Sequence, residues 1–186
     1  MIYILILILH KRTLRAILNC NDKNYHINNM ATEIEHKYLV INDDYKNLAF
    51  KKVKIRQGYL NRSPDRTVRI RTVDEKGYLT IKGRNKGDSR LEFEYEIPYS
   101  DALHIFQLAE PGIVTKTRYL VKYDSLIWEV DEFHGGLNGV VIAEVEIPET
   151  GFSYSKPTFI GNDITGDPRF YNSNLLSFSE SIRNLK

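Results

Sequence analysis

The feature that most constrains this chain is an alternation that returns in nearly every extended stretch. In Glu33-Ile34-Glu35-His36-Lys37-Tyr38-Leu39-Val40, a two-residue period puts Glu33, Glu35 and Lys37 on one face and Ile34, His36 and Tyr38 on the other. One such strand is ordinarily the wet side of a sheet. Here the pattern repeats. Arg69 and Arg71 alternate with Val68 and Ile70, Lys82 with Ile81, and Arg90, Glu92, Glu94 and Glu96 with Leu91, Phe93, Tyr95 and Ile97. Further along, stretch 114–123 carries Lys116 and Arg118, stretch 126–133 carries Glu129 and Asp131, and stretch 140–147 carries Glu144 and Glu146.

Between these stretches the punctuation is that of hairpins. Asn61-Arg62-Ser63-Pro64-Asp65, Asp74-Glu75-Lys76-Gly77, 83–89 and His134-Gly135-Gly136-Leu137-Asn138-Gly139 read as turns and loops. In stretch 51–60, Val53, Ile55 and Gln57 share a face, and Gly58 thins the strand just before Tyr59. Asn42 or Asp43 is expected to cap a short helix over 44–50, and Ser100 one running to Glu110, where Pro111-Gly112 ends it. Beyond Pro148 the pattern weakens into loop and short helix over 152–167, with Phe159-Ile160-Gly161 a packing clasp. Ser173 or Asn174 then starts a last helix carrying Leu175, Phe178, Ile182 and Leu185.

About eight strands in hairpins with two or three inserted helices imply a mainly β, α+β fold around an antiparallel sheet, and closing that sheet into a barrel removes its edges. Alternation alone also suits a packed or lipocalin-like barrel with its charges outward. Three features favour charges inward. The charged positions are paired Glu-x-Glu, Arg-x-Arg and Glu-x-Asp rather than a mixed solvated set. The aromatic residues opposite them would overfill a small barrel. The helices carry apolar stripes that need an outer wall to pack on.

At 186 residues the chain is about one domain, with 30–186 as its folded part. A net charge of +2 is no polycation and does not suggest nucleic-acid binding. The lone Cys20 allows no intrachain disulfide and suits a reducing, cytoplasmic setting. Residues 1–29 read as an extension, disordered or a mis-assigned start. The apolar run 2–9 is too short to span a bilayer, and a weak membrane-surface anchor is its rival reading. No membrane partner is expected. The sequence leaves oligomeric state open, a homodimer included.

Like charges crowded on a small axis need an answer, since two unit charges ~4 Å apart interact by ~4 kcal/mol at an effective dielectric near 20. Clustered carboxylates suit Mg²⁺ or Mn²⁺, and clustered arginines and lysines suit a polyanion, the guanidinium fork fitting phosphate. A metal–polyphosphate ligand meets both needs.

In order along the chain, Glu33-Ile34-Glu35-His36-Lys37, Gln57-Gly58-Tyr59-Leu60, Val68-Arg69-Ile70-Arg71, Leu79-Thr80-Ile81-Lys82-Gly83, Glu92-Phe93-Glu94-Tyr95-Glu96-Ile97-Pro98, Lys116-Thr117-Arg118-Tyr119, Trp128-Glu129-Val130-Asp131 and Ala143-Glu144-Val145-Glu146 resemble the triphosphate tunnel metalloenzymes, or CYTH superfamily. The likeness runs from about residue 32 to 176 and is nearest the short bacterial inorganic triphosphatases. It implies a closed eight-stranded antiparallel β-barrel, a tunnel with a few helices packed outside and a C-terminal helix. It also implies hydrolysis of a small-molecule triphosphate with Mg²⁺ or Mn²⁺. By matching motif, Glu33, Glu35, Glu144 and Glu146 would ligate metal, with Asp131 and Glu129 additions to that set through water. Lys37, Arg69, Arg71, Lys82, Arg90 and Arg118 would hold phosphate oxygens. Tyr59 would pair with Lys116, whose charge would lower the tyrosine pKa so that it orients or deprotonates the nucleophile. His36 and Tyr38 replace the family's arginine and phenylalanine on the outward face.

Inorganic triphosphate is the expected substrate. A related adenylate cyclase, a thiamine or nucleoside triphosphatase, and a polyphosphate-binding module without turnover are the alternatives.

Overall fold

A computed structural model describes residues 32–87 and 89–183, and from Glu33 onward these belong to one compact unit. The expectations for residues 1–29 and for Leu185 lie outside the described residues.

The strands are β1 (Thr32–Val40), β2 (Ala49–Asn61), β3 (Arg66–Val73), β4 (Lys76–Gly83), β5 (Ser89–Ile97), β6 (Val114–Tyr123), β7 (Leu126–Phe133), β8 (Val141–Glu146) and β9 (Ile160–Asp163). They run β5-β4-β3-β2-β6-β7-β8-β1, and a β5–β1 pairing closes the ring, with short β9 added beside the far end of β1. The expected eight-stranded antiparallel barrel is therefore present, with one strand more than the sequence pattern showed. Asp74 and Asp124 take left-handed backbone (φ 49° and 50°) in the tight turns after β3 and β6, a conformation that aspartate tolerates.

Among the described residues there are three short α-helices: α1 (Tyr45–Leu48) and α2 (Tyr99–Ile105) between strands, and α3 (Ser179–Arg183) after the last one. All are shorter than expected. α2 starts after Pro98 rather than at a Ser100 cap, because proline's fixed φ suits a helix start, and it tightens into a 3₁₀ turn at Phe106–Leu108. The last helix begins at Ser179 rather than at 173 or 174, the preceding residues forming successive turns.

Outward residues form the structural core. Tyr38, Trp128, Val130, Ala143 and Val145 pack beneath Tyr45 and Phe159, so the clasp around Phe159 serves as expected. Ile70, Ala102 and Phe106 form a smaller cluster under α2. Gly58 leaves room for that layer, since a Cβ there would sit 2.8 Å from the Ile113 side chain.

The interior is not charged along its whole length. Register puts Leu39, Ile142 and Phe133 on the same face as the charged positions of β1, β8 and β7. With Val114 they join Leu137, Phe170, Leu175 and Ile182 in an apolar cluster that fills one end. The barrel is thus a charged chamber with a hydrophobic floor rather than a wet tube throughout. Among the described residues, no helix is long and apolar enough to cross a membrane.

Candidate active site inside the barrel

One wall of the chamber comes from β1, β6, β7 and β8. Lys37 stands opposite Glu144, Glu144 opposite Glu129, and Arg118 opposite Asp131, so these side chains share the inward face. The Lys37 ammonium touches Glu144 and lies 3.2 Å from Glu35 Oε2. Arg118 forks onto Asp131 (Nε to Oδ1 2.7 Å, Nη2 to Oδ2 2.6 Å), donates to Glu144 at 2.9 Å and touches Glu129. Lys116 also touches Asp131, a carboxylate with no solvent exposure.

The facing wall comes from β3, β4 and β5. Arg69 and Arg71 converge on Glu94, at 3.4 and 2.8 Å. Lys82 reaches Glu92 at 2.6 Å. At the seam where β5 meets β1, Arg90 Nη2 donates to Glu33 at 2.8 Å and lies 3.5 Å from Glu35. The structure thus gathers Glu33, Glu35, Lys37, Arg69, Arg71, Lys82, Arg90, Lys116, Arg118, Asp131 and Glu144 into one lattice of alternating charge. Glu146 shares the face, opposite Glu35, but sits at the exposed strand end. The cleft beside Glu33, Glu35, Lys37 and Arg90 has a volume of only about 20 Å³, close to one water molecule.

Burial and neighbouring charge shift the groups in opposite directions. Burial, with the Glu144 carboxylate next, pushes the Glu35 carboxyl up to about 7. Glu144 is held well below the usual range despite its burial, because Lys37, Lys116 and Arg118 surround it. Burial brings Lys116 down to about 8, with Asp131 opposing the shift and Arg118 adding to it. Glu35 is therefore a crowded carboxyl whose cations are shared with other acids. Glu33, Glu35, Glu144 and Glu146 are the acids that β1 and β8 place on this face. Among the described residues, no group of three such side chains is already gathered around one point, because Lys37 and Arg90 occupy them.

Tyr59 is buried on the inward face opposite Arg69, and its hydroxyl receives a hydrogen bond from Gln57 Nε2 at 3.2 Å. No hydrogen bond joins it to Lys116, which stands opposite Ile55. Burial raises the Tyr59 pKa against the field of Arg69 and Lys37, so the lowering expected from Lys116 is not found.

Two contributions escaped the sequence reading. Thr165 Oγ1 accepts the Lys37 backbone N–H at 3.0 Å, and the Asn172 amide approaches Glu144 at 3.5 Å. Both come from the segment without periodicity, where no local signal marks a site residue. Gln57 was legible only as sharing a face with Val53 and Ile55; on β2 it is that face, and not the charged one of Lys54 and Arg56, that turns inward beside Lys116 and Arg118.

An antiparallel barrel lined by interleaved acids and bases defines a class, and the chain belongs to the CYTH domain family, whose profile matches residues 31–171. The inorganic triphosphatase of Acetivibrio thermocellus is 49% identical over 148 residues, covering 79% of this chain and 94% of that one. The inorganic triphosphatase of Nitrosomonas europaea is 32% identical over 148 residues, with 77% and 96% covered. Among solved structures, inorganic triphosphatase NE1496 superposes with a TM-score of 0.54 at 27% identity, covering 77% of this chain and 93% of the other.

Proposed function

We propose that this chain hydrolyses inorganic triphosphate inside the barrel. The observation that carries the reading is the interior charge lattice, in which Lys37, Arg69, Arg71, Lys82, Arg90 and Arg118 face one small space, each against a carboxylate. The names of the two relatives point to the same substrate. Phosphoryl transfer needs in-line positioning and charge neutralisation more than covalent help, and this lattice offers both. Phosphate oxygens replace carboxylates as partners of the cations, which frees Glu33, Glu35, Glu144 and Glu146, with Asp131 beside them, to hold Mg²⁺ or Mn²⁺. When bound, that ion neutralises phosphate charge and polarises water.

Lys116, its pKa lowered by burial, stays paired with Asp131 and supports the phosphate-binding wall. Tyr59, with its pKa raised by burial, orients the nucleophile as a hydrogen-bonding hydroxyl rather than as a base. The lone cysteine and the small-molecule substrate suit a cytoplasmic enzyme that needs neither nucleic acid nor membrane.

Incubation of the full chain with tripolyphosphate tests this. Orthophosphate release is expected with Mg²⁺ or Mn²⁺ and is abolished by a chelator. Binding without release would make the protein a polyphosphate-binding module. Cyclic AMP from ATP, with tripolyphosphate left intact, would make it a cyclase.

A further inference from the structure

Gln57 has no solvent exposure and lies on the inward face of β2, with Arg71 opposite on β3 and Val114 opposite on β6. Its Nε2 is committed to the Tyr59 hydroxyl. Its Oε1 is buried and has no hydrogen-bond partner among the described residues. A buried acceptor left open costs ~1–3 kcal/mol, a cost that an apolar side chain such as the neighbouring Val53 or Ile55 would not carry.

The chemistry of the chamber says what can use that oxygen. A triphosphate offers only acceptors to the lattice, and the buried carboxylates are held by cations. Gln57 Oε1 is therefore a neutral acceptor that substrate oxygens cannot bond and that a water molecule, with two protons to give, can. Being uncharged, it does not repel the polyanion. It also sits beside the cations that would grip phosphate, since Tyr59 next to it lies in the field of Arg69, Lys37 and Arg90.

We propose that Gln57 positions the attacking water, with Oε1 accepting a hydrogen bond from it and Tyr59 fixing the amide so that the oxygen faces the chamber. This rests on the triphosphatase reading above. The water oxygen bonds to the terminal phosphorus, and the bridging P–O bond breaks with its electron pair leaving on pyrophosphate. Both water protons end on the new orthophosphate, so the amide orients the water and takes no proton, in keeping with a loose transition state in which the nucleophile is deprotonated late.

Two variants test the assignment in opposite directions. Gln57→Leu removes the acceptor and keeps the volume, so kcat is expected to fall about 10- to 100-fold with KM within about twofold. Gln57→Glu keeps an acceptor for water but places a negative charge beside the substrate. Its kcat at saturation is expected to stay within about fivefold while KM rises about tenfold or more. A merely structural glutamine would not give this crossed pattern. The proposal is overturned if Gln57→Leu retains kcat within about threefold of wild type, or if both variants move kcat and KM alike. If Gln57→Leu does not fold, Gln57→Glu decides: loss of kcat at unchanged KM overturns the assignment. A wild-type chain that releases no orthophosphate from tripolyphosphate overturns the triphosphatase reading and this assignment with it. An active wild type with an indifferent Gln57→Leu overturns this assignment alone.

Discussion

On β7, β8 and β1 the outward residues Trp128, Val130, Ala143, Val145 and Tyr38 are closed over by Tyr45 and Phe159. The inward residues of the same strands, Asp131, Glu144 and Lys37, are held by one another and by Arg118 and Lys116. The outer face stabilises the barrel by removing apolar surface from water, about 1.5–3 kcal/mol for each large side chain. The inner face desolvates charges whose mutual attraction roughly offsets the cost, which adds little net stability. One strand thus carries two economies a residue apart, and the inner one is free to serve a ligand. The hydrophobic floor of Phe133, Ile142 and Val114 marks where the inward face reverts to the outer rule.

That contrast can be broken at several points. Trp128→Ala, with the indole fully buried, is expected to destabilise by about 3–5 kcal/mol in denaturant titration while the folded fraction keeps its activity per molecule. A loss of specific activity with unchanged stability would invert the assignment of faces. The double variant Lys116→Met with Asp131→Leu replaces a buried pair by apolar volume and leaves Arg118 answered by Glu129 and Glu144. Its unfolding free energy should stay within about 1 kcal/mol of wild type, or rise, while triphosphatase activity falls about a hundredfold or more.

Glu35→Gln sharpens the inner side. A carboxyl raised to about 7 from an ordinary 4.5 contributes stability that is present below the lower value and lost as pH climbs through the higher. With divalent ions chelated, the variant should therefore gain on wild type between about pH 4.5 and 7, by up to about 3 kcal/mol. A stability difference flat across that window would remove the crowding argument. Least affected should be Phe93→Ser on the outward face of β5, where the ring is 45% exposed: activity within twofold and stability within about 0.5 kcal/mol, by the same two assays.

Much of the site was legible before any coordinates. His36 and Tyr38 face outward as the alternation requires, whereas the pairing of Glu94 with Arg69 and Arg71 is seen only once β3, β4 and β5 lie side by side. The strand β9 was not legible. Ile160-Gly161-Asn162-Asp163 has no alternation, and it is extended because Tyr38 and Val40 offer it a free edge where β1 has left β5. The expected link between Tyr59 and Lys116 also failed to appear, because two residues on one face of neighbouring strands meet only if register brings them level, and Lys116 is level with Ile55.

By itself the sequence determined which residues share a face and in what order the strands follow, because side-chain parity is a local property of extended backbone. Only the tertiary structure decided that the charged face closes inward, that its far end is apolar, and that Gln57 rather than Lys116 holds the Tyr59 hydroxyl. Those outcomes depend on barrel closure and on register between strands distant in the chain, which no window of residues along a single strand contains.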